Sequence, residues 1–251
     1  MVHREQIRMV PGACNAVLFI HGIVGTPNHF VTQIPLLDLV PENWSVYNLL
    51  LDGHGGSVTD FSHSSMKKWK NQVWRIFREL AETHEHIVIA AHSMGTLFAV
   101  QLARENPEKV ADLFLIAVPM RPWVRLFGAV NCLRLVFGKI REDHPFEVAT
   151  RNVCGVVTTR RLWQYLGWVP RFLELFAEIV RTEEKMGKLQ TPCIAFQSKK
   201  DELVSNRSRS ILERNGVMQI IDLHESSHFY YAPDDCEIVR EYFINCIKRH
   251  D

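Results

Sequence analysis

Short runs of apolar, mostly β-branched or aromatic residues alternate along this chain with longer stretches in which apolar residues recur every three or four positions. The runs at 16–20 and 44–49 predict buried strands. Met66, Trp69, Val73, Trp74, Ile76, Phe77 and Leu80 share one face of a predicted helix. A strand at 87–90, a helix over 95–106 ended by Pro107, and a strand at 113–116 follow. The rhythm returns with a strand at 193–196, a helix at 205–214, a strand at 218–223 and a helix at 235–248. Strands alternating with helices in this order predict an α/β fold, a mostly parallel sheet with helices on both faces.

Residues 120–189 break the rhythm. They read as mainly helical and are rich in large apolar side chains, among them Trp123, Leu126, Phe127, Leu133, Leu135, Val136, Phe137, Trp163, Tyr165 and Trp168. With no strand expected between so many helical residues, this stretch is expected to form a small helical cap over a pocket. Residues 1–119 and 190–251 then form the core of one domain. There is no internal repeat and no low-complexity tract.

Composition narrows the reading. The chain has 251 residues, enough for a sizeable core, with 47% hydrophobic and 23% charged side chains, so disorder is excluded. Its 29 basic and 28 acidic residues give a formal charge of +1 and no electrostatic case for nucleic acid. The first residues lack the apolar core of a secretory signal, and no apolar run is long enough to span a membrane. The six cysteines are scattered without a C-x-x-C pair and several lie in apolar runs, which favours buried free thiols. A cytoplasmic protein is expected.

Candidate chemistry centres on Ala91-His92-Ser93-Met94-Gly95, between a predicted strand and a predicted helix. A serine on a tight strand-to-helix turn holds its hydroxyl clear of the sheet, and small residues two before and two after let the chain pass its neighbours. Serine is a weak nucleophile until a base takes its proton, so a histidine and an orienting carboxylate are required. Asp201 and His228 each lie five residues beyond a later strand, on the edge of the sheet that also carries Ser93. Glu202 is the nearest substitute acid and His54 a weaker competitor for the base. His92 is expected to point away from the serine. Oxyanion donors are expected from the backbone amides of Met94, at the start of a helix, and Ile23, in the loop after the first strong strand.

His224-Glu225-Ser226-Ser227-His228 matches the H-E-x-x-H zinc pattern. That chemistry needs a helix so that both histidines share a face. Here the segment follows a strand and runs into Pro233, so no metal site is expected.

Five segments together resemble the α/β-hydrolases, specifically bacterial carboxylesterases and monoacylglycerol lipases. They are residues 18–26, Gly53-His54-Gly55, residues 91–95, residues 197–204 and residues 225–228. The resemblance runs from about Ala16 to Arg249 and fades across the middle region. It implies an α/β-hydrolase sheet with a small helical cap, no cofactor, and hydrolysis of short- or medium-chain carboxylic esters or monoglycerides through Ser93, Asp201 and His228. Ile23 and Met94 occupy its oxyanion positions. The sequence departs from the usual pattern at Ala91, where glycine is common, and at Ser227, where glycine often precedes the histidine. A thioesterase or carbon–carbon bond hydrolase would use the same residues. A binding protein without turnover on a hydrolase scaffold is the reading of another class.

Overall fold

A computed structural model describes residues 3–250. Seven strands form the main sheet: β1 (Gln6–Arg8), β2 (Asn15–Ile20), β3 (Ser45–Asn48), β5 (His86–His92), β6 (Val110–Ile116), β8 (Cys193–Ser198) and β9 (Met218–Leu223). Their order is β1-β3-β2-β5-β6-β8-β9, and every neighbouring pair is parallel except β1 with β3. The two-residue strands β4 (Gly56–Ser57) and β7 (Val156–Val157) form a separate parallel pair. The helices are α1 (Val58–Ser62), α2 (Met66–Thr83), α3 (Met94–Glu105), α4 (Leu126–Phe137), α5 (Pro145–Val153), α6 (Val169–Met186), α7 (Arg209–Leu212) and α8 (Pro233–Lys248).

The central strands are apolar at consecutive positions because both their faces are covered. Leu18, Ile20, Ile87, Ile89 and Ala91 join the core beneath α2 and α3. Val17, Phe19, Val88 and Ala90 turn to the opposite core, closed by Val239, Phe243 and Cys246 of α8. Helix α2 buries Met66, Trp69, Val73, Ile76, Phe77 and Leu80, the stripe its spacing predicts except for Trp74, which stays half-buried with its Nε1 donating to Glu105, and starts where Ser65 Oγ accepts the Lys68 amide at 3.2 Å. Helix α3 is buried along most of its length, between the sheet and α6. This is the α/β-hydrolase architecture. The chain runs from β2 outward to β3, then crosses back to β5 on the other side of β2. That reversal opens a crevice at the carboxyl ends of β2 and β5, where open α/β sheets bind ligands.

The structure departs from expectation in four places. Strand β1 went unpredicted because three half-polar edge residues carry no periodicity. The 205–214 helix is only a 3-10 turn over Asn206–Ser208 followed by α7. Asn215 ends it, its Nδ2 donating to the carbonyls of Met186 at 2.7 Å and Leu189 at 3.0 Å. The middle region does contain a strand, β7, too short to read from sequence. All six cysteines are free, but only Cys193 and Cys246 are fully buried, while Cys14 and Cys132 reach the surface. Among the described residues, no helix is long and apolar enough to cross a membrane.

Candidate active site

Strand β5 ends at His92 and α3 begins at Met94, so the whole turn falls on Ser93. Its backbone sits at φ 50° and ψ −122°, a region that is strained for any residue with a Cβ. Neighbouring bonds hold it there. The Ser93 amide donates to the Ile116 carbonyl at 2.9 Å, and the Ser93 carbonyl accepts from Thr96 N at 2.9 Å and Thr96 Oγ1 at 2.6 Å. Close packing explains the small residues nearby. A Cβ on Gly22 would stand 2.8 Å from Ser93 Cβ, and one on Gly95 would collide with the Ile20 carbonyl. Ala91 lies inside β5, level with Ile20 and Leu115, in extended backbone that tolerates its methyl group.

The loops after β8 and β9 bring Asp201 to His228. Asp201 Oδ1 accepts the amides of Leu203 and Val204, both at 2.7 Å, which aims Oδ2 at His228 Nδ1, 2.9 Å away. Both side chains are buried, 1% and 3% exposed, so water competes little for this bond. Burial disfavours the imidazolium, but the carboxylates of Asp201 and Glu202 outweigh it and hold the His228 pKa above 6.5. With Nδ1 turned to Asp201, the other ring nitrogen is left to exchange protons.

Two further carboxylates support the histidine, and sequence reasoning had given neither this role. Glu202 is not a substitute for Asp201: its Oε2 accepts the backbone amide of His228 at 2.9 Å. Burial raises the Glu202 pKa. Asp235, in the first turn of α8, accepts the amides of His224 at 3.2 Å, Glu225 at 2.8 Å and Ser226 at 2.8 Å, and the Ser226 hydroxyl at 2.7 Å. The segment that leads to His228 is therefore pinned to α8. Ser227 takes no left-handed backbone, and its Oγ accepts the Tyr230 amide at 3.2 Å.

The other histidines are committed elsewhere. His54 Nε2 accepts the Val24 amide at 3.1 Å, so it shapes the first loop and is not a candidate base. His92 turns to the backbone of the histidine loop, with its Nε2 3.1 Å from the His228 carbonyl and its ring stacked on His29 at 3.8 Å. His224 and His228 diverge: the His224 ring lies 3.4 Å from Lys199 Nζ, and the segment between them forms no helix. Among the described residues, no group of three His, Cys, Asp or Glu side chains is placed to hold a metal.

Ser93, His228 and Ile23 line one cavity of about 180 Å³. Its remaining wall is apolar, with Trp123, Val124, Phe172 and Phe176 from the middle region. Phe172 and Phe176 lie one turn apart on α6, a spacing that a stricter reading of helical period could have found. Met94 is the first residue of α3, so its amide has no intrahelical acceptor. Ile23 sits in a turn closed by the Gly25 amide on the Gly22 carbonyl at 3.0 Å.

Comparison with known proteins places this geometry in context. A solved structure from work on LipS and LipT, two metagenome-derived lipolytic enzymes, superposes with a TM-score of 0.70 at 20% identity, over 97% of this chain and 100% of the other. A monoacylglycerol lipase of Paleococcus ferrophilus superposes with a TM-score of 0.66 at 18% identity, over 99% of each chain. These similarities carry the fold. In sequence, the dihydrolipoyllysine-residue acetyltransferase component of the acetoin cleaving system of Cupriavidus necator is 31% identical over 106 residues, 42% of this chain. The match spans 27% of that relative's length. The family described as serine aminopeptidase, S33, matches residues 12–230. With its sheet and strand-to-helix turn in place, this chain belongs to that family of α/β-hydrolase-fold hydrolases.

Proposed function

We propose that the protein hydrolyses carboxylic esters of short or medium acyl chains, or monoacylglycerols, through Ser93, His228 and Asp201. His228 takes the proton of Ser93 as Oγ attacks the ester carbonyl, and Asp201 steadies the imidazolium that forms. The amides of Ile23 and Met94 receive the oxyanion. His228 passes its proton to the leaving alcohol, then activates the water that frees the acid from the acyl-enzyme. No cofactor enters this scheme. Residues 120–189 act as the cap, supplying the apolar wall against which an acyl chain lies, and the free thiols suit a cytoplasmic setting.

One observation carries this reading: His228, held by the buried Asp201 and braced through its own amide, lines the same small apolar cavity as a serine held in strained backbone. Strain at that position argues against a scaffold kept only for binding, which would have no need to maintain it. The family description raises the aminopeptidase alternative. A free N-terminal ammonium in a pocket calls for a carboxylate to pair with it. The residues lining this cavity include none, which favours the ester.

The test is hydrolysis of p-nitrophenyl esters from acetate to laurate, with amino-acid p-nitroanilides alongside, for the wild type and Ser93→Ala. Ester turnover peaking at short or middle chains and lost in Ser93→Ala is expected. Full ester activity in Ser93→Ala would sink the assignment, and turnover of the anilides alone would move it to peptide bonds.

A further inference from the structure

The main chain of His228 is gripped on both sides. Glu202 takes its amide, and its carbonyl has a donor of its own in His92, whose Nε2 lies 3.1 Å away. A carbonyl oxygen can only accept, so Nε2 carries the proton of the His92 ring. Burial above all, and then the neighbouring His29 and His228, hold the His92 pKa well below 6.5. The ring is therefore the neutral Nε2–H tautomer. Neutrality matters, because the His92 and His228 rings are 4.7 Å apart, and a charge on the first would oppose the imidazolium that forms on the second.

His92 is 2% exposed and has little room to swing. Its ring stacks on His29 with centroids 3.8 Å apart, and His29 is itself buried, in the helical turn His29–Gln33. From another side Gly22 closes on it, since a Cβ there would stand 3.2 Å from His92 Nδ1. Tyr231 Oη also approaches the His228 carbonyl, but at 3.5 Å, and it is equally far from His29 Nε2. At that length it is the weaker donor of the two.

Asp201 and Glu202 tie His228 to the loop after β8, and Asp235 ties the segment before it to α8. His92 ties it to the elbow. It is the last residue of β5 and the one before Ser93, whose amide is bonded to Ile116. The nucleophile and the main chain of its base thus hang from one short, rigid stretch of backbone. A misplacement of about 1 Å between reacting groups can cost about a hundredfold in rate.

We propose that His92 is a positioning residue for the reaction proposed above, and that the hydrogen bond from its Nε2 to the His228 carbonyl sets the separation between base and nucleophile. This role rests on Ser93 and His228 being nucleophile and base, and is independent of which acyl compound they cleave. His92 does not line the catalytic cavity, so its loss acts on turnover and not on substrate binding.

Two substitutions separate the donor from the ring. His92→Phe keeps an aromatic ring against His29 and removes the donor, whereas His92→Gln keeps a donor near the position of Nε2. With p-nitrophenyl butyrate, kcat is expected to fall about tenfold or more in His92→Phe, with KM within about twofold. In His92→Gln it is expected to return to within about threefold of wild type. The rate at which an alkyl fluorophosphonate labels Ser93 is expected to follow the same order without any ester present. Melting curves show whether each variant folds; if His92→Phe does not, His92→Leu replaces it with the same expectation. A double-mutant cycle distinguishes positioning from general damage. In His228→Ala no base remains to be placed, so adding His92→Phe is expected to change the residual rate less than about twofold. Wild-type kcat in His92→Phe, a change confined to KM, an equal loss in both backgrounds, or His92→Gln as slow as His92→Phe overturns the role. Labelling in the expected order with no ester turned over supports the role and overturns the ester as substrate. Full ester activity in Ser93→Ala overturns the esterase reading, and the role of His92 with it.

Discussion

The backbone amide of His228 donates to Glu202 Oε2 at 2.9 Å, while the neighbouring carboxylate, Asp201, holds the imidazole of the same residue. Two successive acidic residues therefore grip one histidine at different atoms. Glu202→Gln keeps an acceptor oxygen but removes a negative charge that favours the imidazolium. Its kcat on the alkaline plateau should stay within about threefold of wild type, while the acid limb of the pH–rate profile moves to lower pH. Glu202→Ala leaves the amide unpaired and should lower kcat by about tenfold or more. A pH profile unchanged in Glu202→Gln would contradict this role.

Asp201→Asn keeps the size of the side chain but presents an amide where the His228 ring needs an acceptor. Activity should fall by about three to four orders of magnitude, the loss seen when a triad carboxylate of this kind is neutralised. Folding should persist, because Oδ1 can still accept the Leu203 and Val204 amides. Activity within tenfold of wild type would show that another group orients the ring.

Strain at Ser93 gives a prediction about stability. Ser93→Ala retains the Cβ and the strained backbone, whereas Ser93→Gly relieves it. The glycine variant should be the more stable of the two by about 1 kcal/mol, a rise of roughly 2–4 °C in melting temperature for a chain of this size. Equal melting temperatures would mean that the turn stores no strain.

Acid should unfold this protein early. His21, His29, His54 and His92 are buried with pKa values below 6.5, desolvation being the main cause; His29 is lowered to about 3 and His54 to about 4. Each titrates near 6.5 once unfolded. Below that pH the unfolded chain takes up protons that the folded chain refuses, so stability falls as pH drops from 6.5 toward 4. Each group contributes up to about 1.4 kcal/mol per pH unit. His228 acts in the opposite sense. Its raised pKa adds stability that is fully present below 6.5 and disappears as pH rises through its folded value. One such group does not offset four. Urea midpoints that agree at pH 7.5 and pH 5.5 would refute the prediction.

The long central strands were legible because burial on both faces demands continuous apolar runs, and α2 because its stripe keeps a period near 3.6. The turn at Ser93 was legible because a reactive serine between strand and helix needs small neighbours at set offsets. Other features carry no such local signal. Glu202 meets an amide 26 residues away, and Asp235 meets amides nine to eleven residues before it, so only the folded loops bring donor and acceptor together. The short strands β1, β4 and β7 are defined by their partners more than by their own residues.

The pairing of β7 with β4 has a bearing on how this enzyme could be rebuilt. The Gly155 amide donates to the Val24 carbonyl at 2.7 Å, and the Gly155 carbonyl accepts the Gly55 amide at 2.6 Å. A side chain at Gly155 would run into the Gly25 carbonyl. Further along, Ile179 and Met186 enter the main core. The middle region is therefore basted to the sheet at its centre as well as at its ends, and cannot be lifted out as a cassette. Swaps confined to 121–154, which spare this seam, can remodel the wall that Trp123 and Val124 give the catalytic cavity; exchanging residues 120–189 whole would unpick the loop that carries Ile23.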